Sequence, residues 1–177
     1  TATIQLIDHI ALEKNVYYLN YDTESFSDEF NGGAVDSRWE WIRENKSTQS
    51  MSGKQGSLTI TSEPGGVLEA TNNAKNILLQ SANNDWTIET RLVCSRTPSQ
   101  PENAGILVYQ DDDNLVKLMF RAVIKTTRAR GVQPGTIDLV MEENGIAKSL
   151  ASFNLKNEII GENALNLKLE KKGSIYT

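Results

Sequence analysis

Apolar and polar residues alternate with a two-residue period over most of this 177-residue chain, and that period predicts strands rather than helices. Trp86, Ile88, Thr90, Leu92 and Cys94 share one face of a strand, with Thr87, Glu89, Arg91 and Val93 on the other, because successive strand side chains point to opposite faces. Val116, Leu118, Phe120, Ala122 and Ile124 repeat the pattern against Leu115, Lys117, Met119, Arg121 and Val123. A mostly apolar face backed by a mixed one predicts antiparallel sheets with one side packed and one side partly wet.

Turn chemistry divides the pattern. Glu143-Asn144-Gly145-Ile146 is the strongest hairpin signal, since Asn-Gly accepts the positive φ angles of a type I′ turn. It predicts strands near Ile137 to Met141 and Ile146 to Phe153. Further breaks are expected at Glu63-Pro64-Gly65-Gly66, Asn83-Asn84-Asp85, Thr97 to Pro101, Asp111 to Asn114 and Gln133-Pro134-Gly135. Many short strands at this spacing predict an all-β sandwich or barrel.

The ends are less regular. Residues 1–13 read as an apolar strand, which is either the first strand of the domain or the last strand of an upstream module followed by a linker. The division is therefore drawn at 1–24 for this strand and linker and 25–177 for the sandwich. LNLKLEKKGSIYT predicts a strand, a Lys-Lys-Gly turn and a further strand. A lone edge strand leaves backbone groups unpaired, so the sandwich is expected to continue beyond Thr177 or be finished by another chain.

Composition changes this picture little. Hydrophobic residues make up 38% and charged residues 23%, an ordinary globular balance. No apolar run is long enough to cross a bilayer, so no membrane partner is expected. The net charge is -5 and the basic residues are dispersed apart from clusters at Lys125 to Arg130 and Lys168 to Lys172, which argues against nucleic acid as a partner. Cys94 is the only cysteine, so no internal disulfide forms. No signal peptide is visible, although a leader could precede Thr1.

Read together, SDEFNG, WEWIREN, GSLTI, NNAKNILLQ, DWTIETRL, AGILVYQDDDNLVKL and LKLEKKG resemble the concanavalin A-like jelly-roll domain at the C-terminus of family 43 glycoside hydrolases of the β-xylosidase and arabinofuranosidase type, over about Phe26 to Thr177. The resemblance implies an antiparallel jelly-roll β-sandwich, incomplete at its C-terminus because the family continues past the Lys-Gly turn through closing strands. It implies an accessory or carbohydrate-binding module of a secreted or cell-surface bacterial enzyme. Its partners would be plant cell-wall polysaccharides such as xylan and arabinan, and the catalytic domain of the same polypeptide. Two alternatives stand beside it: a jelly roll that completes the active site of a neighbouring catalytic domain, or a purely structural, protein-binding sandwich.

The segment Ser25 to Trp41 also resembles the start of family 16 glucanases, which place Glu-x-Asp-x-x-Glu on one strand so that the carboxylates meet in one cleft. That spacing is absent here. The acidic neighbours Asp28-Glu29, Asp111-Asp112-Asp113 and Glu142-Glu143 would point to opposite faces, so no catalytic residue is assigned. The candidate carbohydrate-binding residues are Arg43, Asn76, Gln80, Tyr109, Lys117 and Arg121, with Glu89 and Arg91 also on wet faces. Amide and guanidinium groups suit sugar hydroxyls, while for any one residue a cross-strand ion pair is the plainer reading. Trp86 is expected in the core. Trp39 and Trp41 are read as core too, with a sugar platform as the alternative.

Asp111 to Asn114 reads as a solvated hairpin turn, since it lacks the glycine-centred loop of an EF-hand. No cofactor is required. The candidate position for a structural calcium is Asp28 with Glu29, where jelly-roll relatives often hold one. His9 and Cys94 have no partners for metal or nucleophile chemistry and read as a surface residue and a small core hydrophobe.

Overall fold

The computed structural model describes residues 3–7, 27–53, 55–82, 84–94, 102–122, 135–155 and 164–177. They form β1 (Thr3–Ile7), β2 (Trp39–Ile42), β3 (Gln49–Ser50), β4 (Ser57–Thr61), β5 (Val67–Leu68), β6 (Thr71–Asn72) and β7 (Ile77–Gln80). The second half supplies β8 (Trp86–Cys94), β9 (Glu102–Asp111), β10 (Asn114–Ala122), β11 (Thr136–Glu143), β12 (Ile146–Asn154), β13 (Ala164–Lys172) and β14 (Ile175–Tyr176). One 3-10 turn, Lys46–Thr48, is the only helical element among the described residues. The break expected over 97–101, the basic cluster 125–130, Val123, Ile124, Gln133, Pro134 and His9 lie outside the described residues.

All the ladders are antiparallel. A six-stranded sheet runs β14-β13-β8-β1-β4-β3, and a four-stranded sheet runs β12-β11-β10-β9. The β2–β7 and β5–β6 ladders stand apart from both. The first strand pairs on both sides, with β4 from Thr3↔Thr61 to Ile7↔Ser57 and with β8 from Ile4↔Cys94 to Ile7↔Arg91.

Two apolar clusters hold the layers together. Trp86 and Leu92 of β8 and Leu167 and Leu169 of β13 meet Ile106 of β9 and Phe120 of β10, with Leu118, Ile137 and Leu139 packed against them. The alternation of β8 and β10 thus places the expected faces inward. The second cluster sets Trp39, Trp41 and Leu78 of the β2–β7 ladder against Leu58 and Ile60 of β4, around the buried Phe30. Both tryptophans of the WEW segment therefore face the core, because Trp39 and Trp41 alternate on one side of β2. Trp39 and Phe30 lie 6.3 Å apart, ring centre to ring centre.

The Asn-Gly hairpin forms as its chemistry dictates: Asn144 and Gly145 have φ of 52° and 73°, the pair of positive angles a type I′ turn needs. A register shift between Leu139 and Val140 marks a bulge in β11–β12, of the kind that twists a sheet edge. On β12, Ile146 and Phe153 are 73% and 64% exposed, although Phe153 pairs with the core residue Ile137.

Candidate functional site

The outer face of the four-stranded sheet sets polar residues among Leu107, Leu115, Met119 and Val140. Register places Tyr109 opposite Leu115, and Lys117, Met119 and Arg121 follow on the same side of β10. On β11 the same side carries Thr136, Asp138, Val140 and Glu142, opposite Arg121, Met119, Lys117 and Leu115 in that order. Asp138 and Glu142 thus flank, diagonally, the position of Lys117. Arg121 Nε lies 3.2 Å from Asp138 Oδ2 and donates to Thr136 Oγ1 at 3.2 Å. Asp138 also accepts from the hydroxyls of Ser152 and Thr136. Burial alone would raise the Asp138 pKa, but those hydroxyls and Arg121 outweigh it and hold the carboxyl below its ordinary value. Burial lowers the Lys117 pKa, with the charges of Asp138 and Glu142 opposing it.

Sequence reasoning set Glu142 and Glu143 on opposite faces and gave neither a role; Glu142 is 2% exposed. Its Oε1 accepts from the Glu69 backbone N–H at 2.9 Å, which ties the tip of the β5–β6 hairpin down onto the sheet. Its Oε2 is buried with no hydrogen-bond partner. Strand alternation was the available signal, since Glu142 shares a face with Val140 while its neighbour Glu143 is exposed.

Arg43 joins this face to the β2–β7 ladder. It sits just past β2 with φ 52°, and its carbonyl accepts from Asn76 N–H at 3.1 Å. Its Nε donates to Ala74 O at 2.7 Å, and its Nη1 donates to both oxygens of Asp112, at 3.0 and 3.1 Å. Tyr109 Oη donates to the same carboxylate at 2.9 Å. The Tyr109 hydroxyl and the Arg43 guanidinium pull the Asp112 pKa down, and burial together with Asp112 raises that of Tyr109. The expected solvated turn is therefore half right. Asp111 accepts from Asp113 N–H and Asn114 Nδ2 within the turn, whereas Asp112 reaches a residue 69 positions away.

Beside Arg43 opens a cleft of about 490 Å³ lined by Arg43, Glu44, Asn45, Asn72, Asn73 and Lys75. Two buried polar atoms of its lining side chains have no partner, the donor Arg43 Nη2 and the acceptor Asn72 Oδ1. Lys75 Nζ pairs with Glu63 Oε1 at 3.1 Å, and Glu63 also accepts from Asn45 Nδ2 and Thr48 Oγ1. These donors hold the Glu63 pKa below its ordinary value, Thr48 most of all.

The remaining expected site residues divide. Arg43, Tyr109, Lys117 and Arg121 come together on or beside the polar face. Asn76 does not join them as a free ligand: it is 7% exposed, accepts from Asn45 N–H at 2.7 Å and donates to Thr48 Oγ1 at 2.8 Å, so its amide holds Asn45, which lines the cleft. Gln80 pairs with Trp39 in the β2–β7 register and so faces the side of Trp39, where both its amide atoms are buried without a partner. Glu89 and Arg91 point away from the core on β8, in the other sheet, and Glu89 pairs there with Lys168 at 3.1 Å.

At the expected calcium position the Asp28 carboxylate ties the opening turn together. Asp28 Oδ1 accepts from Phe30 N–H at 2.8 Å and Oδ2 from Trp39 Nε1 at 3.0 Å, so both oxygens already serve the opening turn. Among the described residues no group of three or more His, Cys, Asp or Glu side chains is placed to hold a metal ion. The side chain of Cys94 lies outside the described set.

With this geometry in place, comparison with known proteins adds two findings. A family model described as the β-xylosidase C-terminal concanavalin A-like domain matches residues 27–168. No curated protein matches the chain.

Proposed function

The chain belongs to the family of β-xylosidase C-terminal concanavalin A-like domains, and from that premise we propose that it is a non-catalytic module of a secreted or surface-held bacterial glycoside hydrolase, holding a carbohydrate chain for the catalytic domain of the same polypeptide. The observation that carries the reading is the Arg43 cleft. A hollow of about 490 Å³ lined by Arg43, Glu44, Asn45, Asn72, Asn73 and Lys75 offers guanidinium, ammonium, amide and carboxylate groups, which suit a ligand whose hydroxyls both donate and accept. Plant cell-wall chains such as xylan and arabinan offer such hydroxyls at every sugar. Holding one raises the local concentration of substrate without chemistry at this domain.

The geometry favours binding over catalysis. Asp112 and Asp138 are engaged by Arg43, Arg121, Tyr109, Thr136 and Ser152, which suits positioning rather than the paired acid and base of a glycosidase. Titration with xylo-oligosaccharides, xylan and arabinan tests the reading: saturable binding that weakens about tenfold in Arg43→Ala is expected. A titration with no saturable signal would overturn it, and release of the aglycone from an aryl glycoside by this chain alone would overturn its non-catalytic part.

A further inference from the structure

The break expected at Glu63-Pro64-Gly65-Gly66 forms a loop that braces one of the two chain segments lining the cleft, the one that supplies Asn72, Asn73 and Lys75. Gly66 O accepts from the backbone N–H groups of Asn73 and Ala74, each at 3.0 Å, and Gly66 N–H donates to Asn73 Oδ1 at 3.1 Å. A Cβ on Gly65 would stand 3.0 Å from Ala74 Cα, so glycine lets the loop lie this close to the lining segment. With Asn73 Oδ1 held as an acceptor, the amide keeps its Nδ2 as a donor.

The Glu63 carboxylate carries the brace across to the other lining segment, Arg43, Glu44 and Asn45. Its Oε1 accepts from Asn45 Nδ2 at 3.0 Å and from Lys75 Nζ at 3.1 Å, and its Oε2 accepts from Asn45 Nδ2 and Thr48 Oγ1, both at 2.9 Å. One side chain thus ties Asn45 to Lys75, a residue from each segment. Pro64 restricts the Glu63 backbone to extended conformations, which limits how far the carboxylate can wander. Glu63 is not itself a lining residue, so it acts through Asn45 and Lys75. Lys75 lines the cleft with its side chain 47% exposed, and beyond the bond to Glu63 its ammonium has two further N–H groups. Fixing a lysine side chain costs much rotamer freedom, and Glu63 takes that loss in the free protein rather than at binding.

We infer that the Glu63–Gly66 loop presets the cleft for its ligand, with Glu63 as a positioning residue: Gly66 fixes the Asn73 amide and Glu63 fixes the Lys75 ammonium, so both meet the oxygens of a sugar chain as ready donors. The inference rests on the carbohydrate reading above and deepens it by assigning the residue that holds the two lining segments in register.

The test titrates the whole chain, unaltered and as Glu63→Gln, with a linear xylo-oligosaccharide at a temperature where each is folded. The side-chain amide signals of Asn45 are followed by NMR without ligand. Glu63→Gln keeps one oxygen acceptor and removes the charge, so binding should weaken about fivefold and the Asn45 amide protons should exchange faster with water. Glu63→Asp keeps the charge and withdraws the carboxylate by one methylene. It should weaken binding about twofold, so the proposal stays testable if Glu63→Gln fails to fold. Combined with Lys75→Met, either variant should lose less than the product of the two separate losses, because Glu63 acts in part through Lys75. A purely structural role would leave the losses independent, and that result overturns the positioning role. Unchanged affinity in Glu63→Gln overturns it too, and both outcomes leave the carbohydrate reading standing. An Asn45 amide signal indifferent to Glu63→Gln overturns the bridge between the segments. No saturable binding by the unaltered chain overturns the carbohydrate reading and the positioning role together.

Discussion

Arg43 and Asp112, 69 residues apart, are joined by a guanidinium nitrogen that reaches both carboxylate oxygens at 3.0 and 3.1 Å. Tyr109 Oη completes the contact from β9, three residues before Asp112, at 2.9 Å. The β2–β7 ladder and the four-stranded sheet have no backbone ladder between them among the described residues, so this contact fixes one against the other at the cleft. Asp112→Ala should lower stability by only about 0.5–1 kcal/mol, because both side chains are partly solvated. It should weaken carbohydrate binding by a larger factor, since Arg43 is left unpositioned. Urea melts and ligand titrations of the same variant read the two effects separately, and equal losses in both would argue against a positioning role.

Asn76 is a buried residue with φ 54° whose amide serves Asn45 and Thr48. Asn76→Ala leaves the Asn45 N–H without its acceptor and places an alanine in the left-handed region, at a combined cost of about 2–4 kcal/mol. Asn76→Gly loses the same hydrogen bonds without the backbone penalty, so it should melt above the alanine variant. Thermal melts in the reverse order would show that the backbone conformation is not under strain.

Gly105 pairs with Met119, where β9 leaves no room for a side chain against β10. A Cβ built there would lie 2.1 Å from Leu118 O and 2.8 Å from Met119 Cα, backbone atoms that cannot swing aside. Gly105→Ala is expected to destabilise the chain by more than about 2 kcal/mol, and an unchanged melting temperature would contradict the packing of this ladder.

The pH dependence of stability should fall off on both sides. Asp112 and Asp138 have folded pKa values held below the ordinary carboxylate value, the first by Tyr109 and Arg43, the second by Ser152, Thr136 and Arg121 against the opposing effect of burial. Their contribution is present above the unfolded pKa and is lost as pH falls through the folded ones. The raised Tyr109 pKa works in the other sense. Its contribution is complete below pH 10, the ordinary tyrosine value, and declines as pH rises toward the folded pKa, because the unfolded chain ionises first. Urea midpoints measured from about pH 3 to pH 11 should show the alkaline decline diminished in Tyr109→Phe.

Much of the fold was legible because strand burial writes itself as alternation: β8 and β10 announced their inner faces, and Asn144-Gly145 announced its hairpin. The site was less legible. Asp112 reads as a turn acid because its partner is distant in sequence, and no local pattern encodes a contact over that separation. Asn76 and Gln80 have the chemistry of sugar ligands, yet amides serve equally well to satisfy backbone groups, and burial, which decides between the two, is a tertiary property. The period-two rule set Glu142 and Glu143 on opposite faces, but that Glu142 is the buried one is again a tertiary property. The short β3, β5 and β6 hold two residues each, too few for any period to show.

The Arg43–Asp112 contact also bears on how the cleft can change across lineages. Asp112 stands outside the cleft lining and holds the Arg43 guanidinium that lines it, so Asp112→Glu would displace that head by the length of a methylene while leaving every strand register untouched. The position of the guanidinium can thus drift by single codons at position 112, with the sandwich beneath under no pressure to follow.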